Sequence, residues 1–204
     1  MTRSRGLGDV YKRQVKKYIE ETSVISIAKD ISEGLARNVI SAKFNEKVIE
    51  TSSIIKEDGK LEFYTWDNDD GKKAFWHSSS HVMAQSIQEL FPEAKLTIGP
   101  AINNGFYYDV DLGDKKISEY DFEKIETRML EICREKHDFK LRLVSKKDAL
   151  QFYKKQNNDY KIELINDLND GEITFCDHSD FTDLCKGGHI PVSYTHLRAH
   201  ETWS

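Results

Sequence analysis

The sequence predicts an α+β fold, and three observations lead to this prediction. The chain of 204 residues is 38% hydrophobic and 11% aromatic, a composition typical of a folded globular protein. Short runs that alternate apolar and polar residues lie between turn residues, which indicates strands. Other segments place apolar residues at every third or fourth position, which indicates helices. This length allows one ordinary domain or two small ones.

The two ends of the chain differ from the rest in their coding pattern. Residues 9–14 read Asp-Val-Tyr-Lys-Arg-Gln, which the DNA string GATGTGTATAAGAGACAG encodes. Residues 192–196 read Val-Ser-Tyr-Thr-His, and GTCTCTTATACACAT, the reverse complement of part of the first string, encodes them. The pair resembles a transposon-end adapter used to prepare sequencing libraries. We therefore expect residues 1–14 and 192–204 to be non-native. Three residues are thereby excluded from the candidate site: His196, His200 and Trp203.

Residues 15–66 predict a small α+β domain. A helix with Ser23 as its N-cap and Gly34 near its end has one apolar face. That face consists of Val24, Ile27, Ala28, Ile31 and Leu35. Strand-like runs follow at 39–44, 47–50 and 61–64, with turn residues between them. The acidic, polar run at 67–72 then predicts a linker.

Residues 73–191 predict a second α+β domain. Its first element is an amphipathic helix that ends before Pro92. A Gly/Pro loop and an aromatic strand occupy 98–109. Ser118 and Asp121 then form a capping-box start for a second helix. The apolar positions of that helix are Phe122, Ile125, Met129 and Ile132.

The remaining elements follow in order along the second domain. Phe139, Leu141 and Leu143 alternate with polar residues as in a strand, and Ser145 caps the next helix. A further helix is predicted at 160–168, a strand at 172–176 and a loop-rich segment at 180–191.

The charge and the cysteine count exclude several classes of protein. The chain has 30 Lys+Arg against 35 Asp+Glu, so no overall basic character indicates a nucleic-acid partner. The odd set Cys133, Cys176 and Cys185 argues against a disulfide scaffold and for a reducing compartment. No apolar run approaches the roughly 20 residues of a membrane-spanning helix. These features predict a cytoplasmic enzyme or interaction module.

Two pairs of reactive side chains repeat one spacing. His77 and His81 are four residues apart on a predicted helix, which points both imidazoles to one face. Ser78 stands where the zinc-protease motif carries its glutamate. Cys185 and His189 have the same separation in a loop with two glycines, which lets the backbone approach a ligand. The nitrogens and the sulfur could bind tetrahedral zinc, orient a water for hydrolysis, or form a cysteine nucleophile with its base.

Three motifs occur in sequence order: His77-Ser-Ser-Ser-His81, Ile98-Gly-Pro-Ala-Ile-Asn-Asn-Gly-Phe-Tyr-Tyr-Asp109 and Asp183-Leu-Cys-Lys-Gly-Gly-His189. Together they closely resemble the editing domain of bacterial-type threonyl-tRNA synthetases and, more distantly, that of alanyl-tRNA synthetases. Residues 15–66 resemble the TGS domain that begins the threonyl enzymes. The resemblance implies a ubiquitin-like (β-grasp) TGS domain followed by an α+β editing domain with an antiparallel sheet and flanking helices.

The resemblance also implies an activity. Threonyl-tRNA synthetases ligate threonine to tRNA(Thr) using ATP, and serine differs from threonine by one methyl, worth only about 1–3 kcal/mol in a pocket. An editing site therefore hydrolyses mischarged Ser-tRNA(Thr). By the same resemblance, the catalytic residues are His77, His81, Lys161, Asp183, Cys185 and His189. Asn104 and Tyr108 are implied to contact the substrate end.

Two departures from the family pattern bear on this site. Gly187-Gly188 stands where many relatives have Gly-Pro, and Cys176 stands where an aromatic residue is common. The threonyl enzymes favour metal-free hydrolysis, whereas the alanyl ones favour zinc. A zinc site of His77, His81, Cys185 and His189 is the alternative.

The resemblance implies no cofactor for the editing region. ATP, magnesium and zinc are implied for a ligase domain beyond residue 191, together with tRNA(Thr), threonine and a second copy in a homodimer. Alternatives are a free-standing deacylase that acts on mischarged tRNA, a non-catalytic TGS-type module that binds RNA or a regulator, and a structural zinc domain. Strands missing at both ends would leave sheet edges unpaired, which predicts poor folding or weak activity.

Overall fold

The computed structural model describes residues 15–18 and 20–191. The ends expected to be non-native, with His196, His200 and Trp203, lie outside the described residues. Helices and strands are mixed along the described chain, and all of its strand pairs are antiparallel. The predicted α+β class is therefore confirmed.

The N-terminal part of the chain, residues 15–66, has two helices and five strands among its described residues. They are β1 (Thr22–Ser23), α1 (Val24–Ile31), α2 (Glu33–Asn38), β2 (Ser41–Phe44), β3 (Lys47–Ile49), β4 (Ile54–Ile55) and β5 (Leu61–Tyr64). β2 lies between β3 and β5, and β1 pairs with β4. The three predicted strand runs are confirmed, with ends shifted by at most two residues.

The prediction of one helix from Val24 to Leu35 is wrong, because the chain breaks at Ser32. Ser32 is extended, with φ −167° and ψ 148°, and its side chain accepts a hydrogen bond from the Leu35 N–H. A serine hydroxyl competes with the helical backbone in this way and favours caps over helix interiors. Ser23 caps α1 as predicted, by accepting from Ser26 N–H.

The acidic run expected to be a linker is mostly the start of a long helix, α3 (Asp69–Leu90). Asn68 is the N-cap, and Asp69 and Asp70 occupy the first turn. Carboxylates at this end of a helix interact favourably with the backbone dipole. The run of acidic residues therefore lies at the start of a helix.

The C-terminal part of the described chain, residues 67–191, continues after α3 with ten elements. They are β6 (Lys95–Leu96), β7 (Ala101–Ile102), β8 (Gly105–Phe106), β9 (Val110–Asp111), α4 (Glu119–Glu135), β10 (Phe139–Leu143), α5 (Lys146–Lys155), α6 (Asp159–Asn166), β11 (Thr174–His178) and β12 (Phe181–Leu184). β11 is the middle strand of a sheet with β10 and β12, and β7 and β8 form a hairpin. The capping box of Ser118 and Asp121 is confirmed.

Three details of the C-terminal part differ from expectation. The segment at 180–191 was expected to be rich in loops, but it begins with β12, which places Asp183 on a strand. The aromatic strand at 98–109 is instead a hairpin followed by the short β9. Phe122, expected on the apolar face of α4, is 53% exposed, whereas Ile125 and Ile132 are buried. The spacing of apolar residues predicted the helix correctly, but the buried face of the helix is narrower than predicted.

One apolar cluster joins the two parts of the chain around α3. Ile40 from the N-terminal part packs with Phe75 and Val82 of α3, and Phe139 and Ile190 complete the cluster from the C-terminal part. Burial of such side chains is the dominant favourable term in folding. Helix α3 therefore packs against both parts of the chain. None of the described helices combines the length and apolar character that a membrane crossing requires.

Candidate functional site

Helix α3 presents His77 and His81 on one face, as their spacing predicts, with ring centroids 4.8 Å apart. The three serines between them are buried. Ser78, Ser79 and Ser80 each donate a hydrogen bond to a backbone carbonyl of the preceding turn, at 2.7–2.9 Å. The polar run is thus accommodated in the core without unsatisfied hydroxyls.

The loop after β12 brings Cys185 and His189 together. Gly187 and Gly188 have φ of 91° and 89°, values that favour glycine. The resulting turn places His189 Nε2 at 3.3 Å from Cys185 Sγ, and the Gly187 N–H donates to the same sulfur at 3.3 Å. Proline cannot adopt the φ of residue 188. A Gly-Pro sequence at this point would therefore need a different path.

The two pairs meet in one His/Cys cluster, composed of His77, His81, Cys185 and His189. His77 Nε2 lies 3.0 Å from Cys185 Sγ, and the rings of His77 and His189 stack with centroids 4.8 Å apart. One potential ligand atom from each of the four residues lies within 4.8 Å of the others. The convergence joins residues that are about a hundred positions apart in sequence.

The His/Cys cluster shifts the protonation of its members. Burial alone would raise the pKa of the Cys185 thiol, but the charges of His81 and His189 and hydrogen bonds from His189 and His77 hold it well below its usual value. Burial opposes the charged form of His189, yet Cys185 raises the pKa of His189 well above its usual value. Burial lowers the pKa of His81. Cys185 and His189 therefore favour a thiolate–imidazolium pair.

A buried ion pair lies beside the His/Cys cluster. Lys161 of α6 and Asp183 of β12 are both nearly inaccessible, and Lys161 Nζ is 2.5 Å from Asp183 Oδ1. Tyr108 donates its hydroxyl to Asp183 Oδ2 at 2.5 Å, and Tyr153 donates to Oδ1 at 3.3 Å. His81 Nδ1 is 3.5 Å from Asp183 Oδ2 and so connects the ion pair to the cluster.

Both tyrosines on this carboxylate stay protonated. Burial and the neighbouring Asp183 charge raise the pKa of Tyr108 and of Tyr153 well above its usual value. Each hydroxyl therefore remains a donor to Asp183 across the ordinary pH range. Lys161, which the family resemblance implied as a site residue, is buried, whereas most lysines are exposed.

A cavity of about 760 Å³ opens onto both groups of residues. His77, Tyr108, Lys161, Asp183 and Cys185 contribute to its wall. This volume falls within the usual range for small-molecule sites. The cavity wall therefore combines the side chains of a lysine, an aspartate, a histidine and a cysteine.

The structure does not bring every predicted residue to this cavity. His189 has 0% exposure and lies behind Cys185 and His77. Asn104 is exposed in the turn of the β7–β8 hairpin and is not among the residues that line the cavity. Cys176 is also buried outside the lining, with its Sγ 3.7 Å from His189 Nδ1. It forms no part of the cavity wall.

Sequence reasoning missed two residues that contact the site, Glu50 and Tyr153. Glu50 follows β3 in the N-terminal part, and its carboxylate accepts from the Gly188 N–H at 3.1 Å. Burial would raise the pKa of Glu50, but hydrogen bonds from His189 and backbone amides lower it. Tyr153 lies on the buried face of α5, where its pattern is that of an ordinary core residue. Neither position carries a local motif.

The His/Cys cluster also meets the chemical requirements of a metal site. Three imidazoles and one thiol are donors that suit tetrahedral zinc. The same atoms also contact one another at 3.0 and 3.3 Å, which are direct hydrogen-bonding distances for sulfur. His77 and His189 therefore also contact Cys185 directly, and the zinc alternative stays a prediction.

Sequence comparison places the chain among the aminoacyl-tRNA ligases. A threonine–tRNA ligase of Flavobacterium psychrophilum is 62% identical over 177 residues, covering 87% of this chain and 27% of that protein. The threonine–tRNA ligase of Flavobacterium johnsoniae is 60% identical over the same shares. That of Caldanaerobacter subterraneus is 44% identical over 91% of this chain and 28% of the relative. No protein-family model matches the chain.

The matched segment belongs to the threonine–tRNA ligase family. The chain spans about a quarter of the length of these relatives, 27% for the two Flavobacterium proteins.

Proposed function

We propose that the cavity hydrolyses the ester bond of Ser-tRNA(Thr), as the editing site of a threonine–tRNA ligase. One observation carries this proposal: the His77–Cys185 contact of 3.0 Å lies beside the buried Lys161–Asp183 pair on the wall of a single cavity. The similarity of this segment to threonine–tRNA ligases supplies the substrate class.

The chemistry follows from the charges around the cavity. His77 is half-buried and lines the cavity; because its Nε2 donates to Cys185, its Nδ1 accepts a proton from water as general base. The hydroxide oxygen attacks the ester carbon, and the Lys161 ammonium stabilises the developing oxyanion. The ester C–O bond then breaks, and the proton held by His77 passes to the ribose oxygen that leaves. Asp183 binds the ammonium group of the seryl moiety.

The N-terminal part is assigned as a TGS domain over residues 15–66, and 67–72, which includes the first turn of α3, connects it to the next domain. The editing domain covers 73–191. This assignment is supported by the three-stranded β3–β2–β5 sheet with the adjacent helices α1 and α2, and by the separate α+β arrangement that follows. The intact protein would bind tRNA(Thr), threonine and ATP with magnesium and zinc in a ligase domain, form a homodimer and act in the cytoplasm.

Replacing His77 by alanine is expected to slow hydrolysis of Ser-tRNA(Thr) by about 100-fold, the usual contribution of a general base. The measurement is release of radiolabelled serine by the 204-residue chain, with Thr-tRNA(Thr) as the spared substrate. His137→Ala is the matched control, because His137 follows the end of α4, contacts Glu135 and is not among the residues that line the cavity. Its rate should equal that of the unaltered chain.

Several outcomes would contradict the proposal. Equal hydrolysis of Ser-tRNA(Ala) and Ser-tRNA(Thr) would favour a free-standing deacylase. Binding of RNA without any deacylation by the folded chain would favour a non-catalytic TGS-type module. Stoichiometric zinc in the purified protein, with loss of folding on chelation, would favour a structural zinc domain.

A further inference from the structure

The side chain of Glu50 crosses from the N-terminal part into the loop that carries Cys185 and His189. Glu50 is 138 residues before Gly188, yet its Oε1 accepts the Gly188 N–H at 3.1 Å. The same oxygen lies 3.5 Å from His189 Nδ1. The residue is only 8% exposed, and a carboxylate this buried requires such partners. The contact is therefore specific rather than a chance surface approach.

The two ring nitrogens of His189 face opposite groups. Nδ1 lies 3.5 Å from Glu50 Oε1 and 3.7 Å from Cys176 Sγ. Nε2 lies 3.3 Å from Cys185 Sγ, which in turn contacts His77 at 3.0 Å. A carboxylate beside one ring nitrogen orients the ring and stabilises the imidazolium, whose other N–H then points at the sulfur. The Glu50 carboxylate, the His189 ring and the Cys185 sulfur are thus in contact one after another. A carboxylate that orients a histidine beside a reactive group has this arrangement.

The loop has the geometry needed for this approach. A Cβ added at Gly187 would lie 2.9 Å from Glu50 Oε1 and 2.9 Å from a Leu141 methyl, and the φ of 91° already disfavours other residues. Val48 of β3 also lies along the cavity wall, near Gly188. The end of β3 is therefore packed directly against the Cys185–His189 loop.

We infer that Glu50 is a positioning residue: it orients His189, which holds the Cys185 sulfur against His77, so the N-terminal part supplies a residue to the hydrolytic site. This role in hydrolysis rests on the proposed function. The rival role is that of a simple tie between the two parts of the chain. Such a tie would affect stability but leave the imidazole of His189 unchanged.

Two substitutions of Glu50 separate these roles. Glu50→Leu keeps the approximate volume and removes both oxygens, whereas Glu50→Gln keeps an oxygen that can accept from Gly188 and His189. For Glu50→Leu, kcat for Ser-tRNA(Thr) hydrolysis should fall by about 10-fold to 100-fold, the usual effect of losing a partner that orients a histidine. KM should change less than about twofold, since no substrate contact is lost. Glu50→Gln should recover most of the rate.

A second measurement needs no substrate. In protein labelled with 15N-histidine, the two side-chain nitrogen resonances of His189 should move in Glu50→Leu and return towards their original positions in Glu50→Gln. Glu57→Leu is the matched control, because Glu57 is an exposed glutamate of the same part. It should change neither the resonances nor kcat.

Each result decides between the roles. Unchanged His189 resonances in Glu50→Leu would overturn the inference, even if the thermal midpoint falls. Shifted resonances with an unchanged kcat would overturn the catalytic consequence. If the unaltered folded chain hydrolyses no Ser-tRNA(Thr), the proposed function fails, while the resonances still report whether Glu50 orients His189.

Discussion

Replacing Lys161 by methionine should lower the free energy of unfolding by about 3–5 kcal/mol. Lys161 and Asp183 are 2% and 4% exposed, so the pair is shielded from water. Removing the ammonium leaves the Asp183 carboxylate buried beside tyrosine hydroxyls, the Leu184 amide and the His81 ring, without its cationic lysine partner. An uncompensated charge in such a place is far more costly than the loss of an ordinary contact.

The measurement for Lys161→Met is urea denaturation followed by circular dichroism. The double variant Lys161→Met/Asp183→Asn removes the orphaned charge and should recover part of the loss. Lys60→Met is the control, because the Lys60–Glu62 pair lies at the surface and its loss should leave the midpoint unchanged. A single variant as stable as the parent would show that the Lys161–Asp183 pair does not stabilise the fold.

Acidification from pH 6.5 to about pH 4 should remove about 3 kcal/mol of stability through His178. Burial, reinforced by the nearby His137, His81 and His189, lowers the pKa of His178 from 6.5 to about 4. Its Nδ1 contacts the side-chain oxygen of Gln85 at 2.7 Å, and its ring stacks on Phe139. The folded state keeps this ring neutral, whereas the unfolded chain binds a proton below pH 6.5. The free energy of unfolding therefore falls as the pH falls through this window.

The test for His178 is the difference between urea unfolding at pH 7.5 and at pH 4. His178→Phe keeps an aromatic ring against Phe139 and should reduce that difference by about 3 kcal/mol. Any constant cost of losing the Gln85 contact cancels in the comparison. Gln151→Leu is the control, because Gln151 is exposed and its side chain does not titrate. A pH difference that is unchanged in His178→Phe would refute the assignment.

Much of the secondary structure could be predicted because its signals are local. Ser23, Ser118 and Ser145 mark helix starts, and each acts as a cap in the structure. The break at Ser32 was not predicted, because the helical spacing of apolar residues continues beyond it to Leu35. The strand that contains Asp183 was not predicted either, because four residues are too few for an alternation of apolar and polar side chains to distinguish a strand from a loop.

The sequence predicted only part of the candidate site. The equal spacing within the pairs His77/His81 and Cys185/His189 predicted that each pair shares one face or one turn. Lys161 came only from the family resemblance, because nothing in its own neighbourhood separates it from a surface lysine. Asn104 came from the same source, and the structure leaves it exposed in a hairpin turn.

The sequence by itself determined the α+β class, the two spaced pairs and the likeness to threonyl enzymes, since periodicity, capping and motif order are properties of neighbouring residues. Only the tertiary structure decided that the pairs meet, that Lys161 is buried against Asp183, and that Glu50 contacts the Cys185–His189 loop. The reason is physical. Contacts over 100 residues depend on how α3 packs against both parts of the chain, and a charged side chain is stabilised in the interior only by the partners that this packing brings to it.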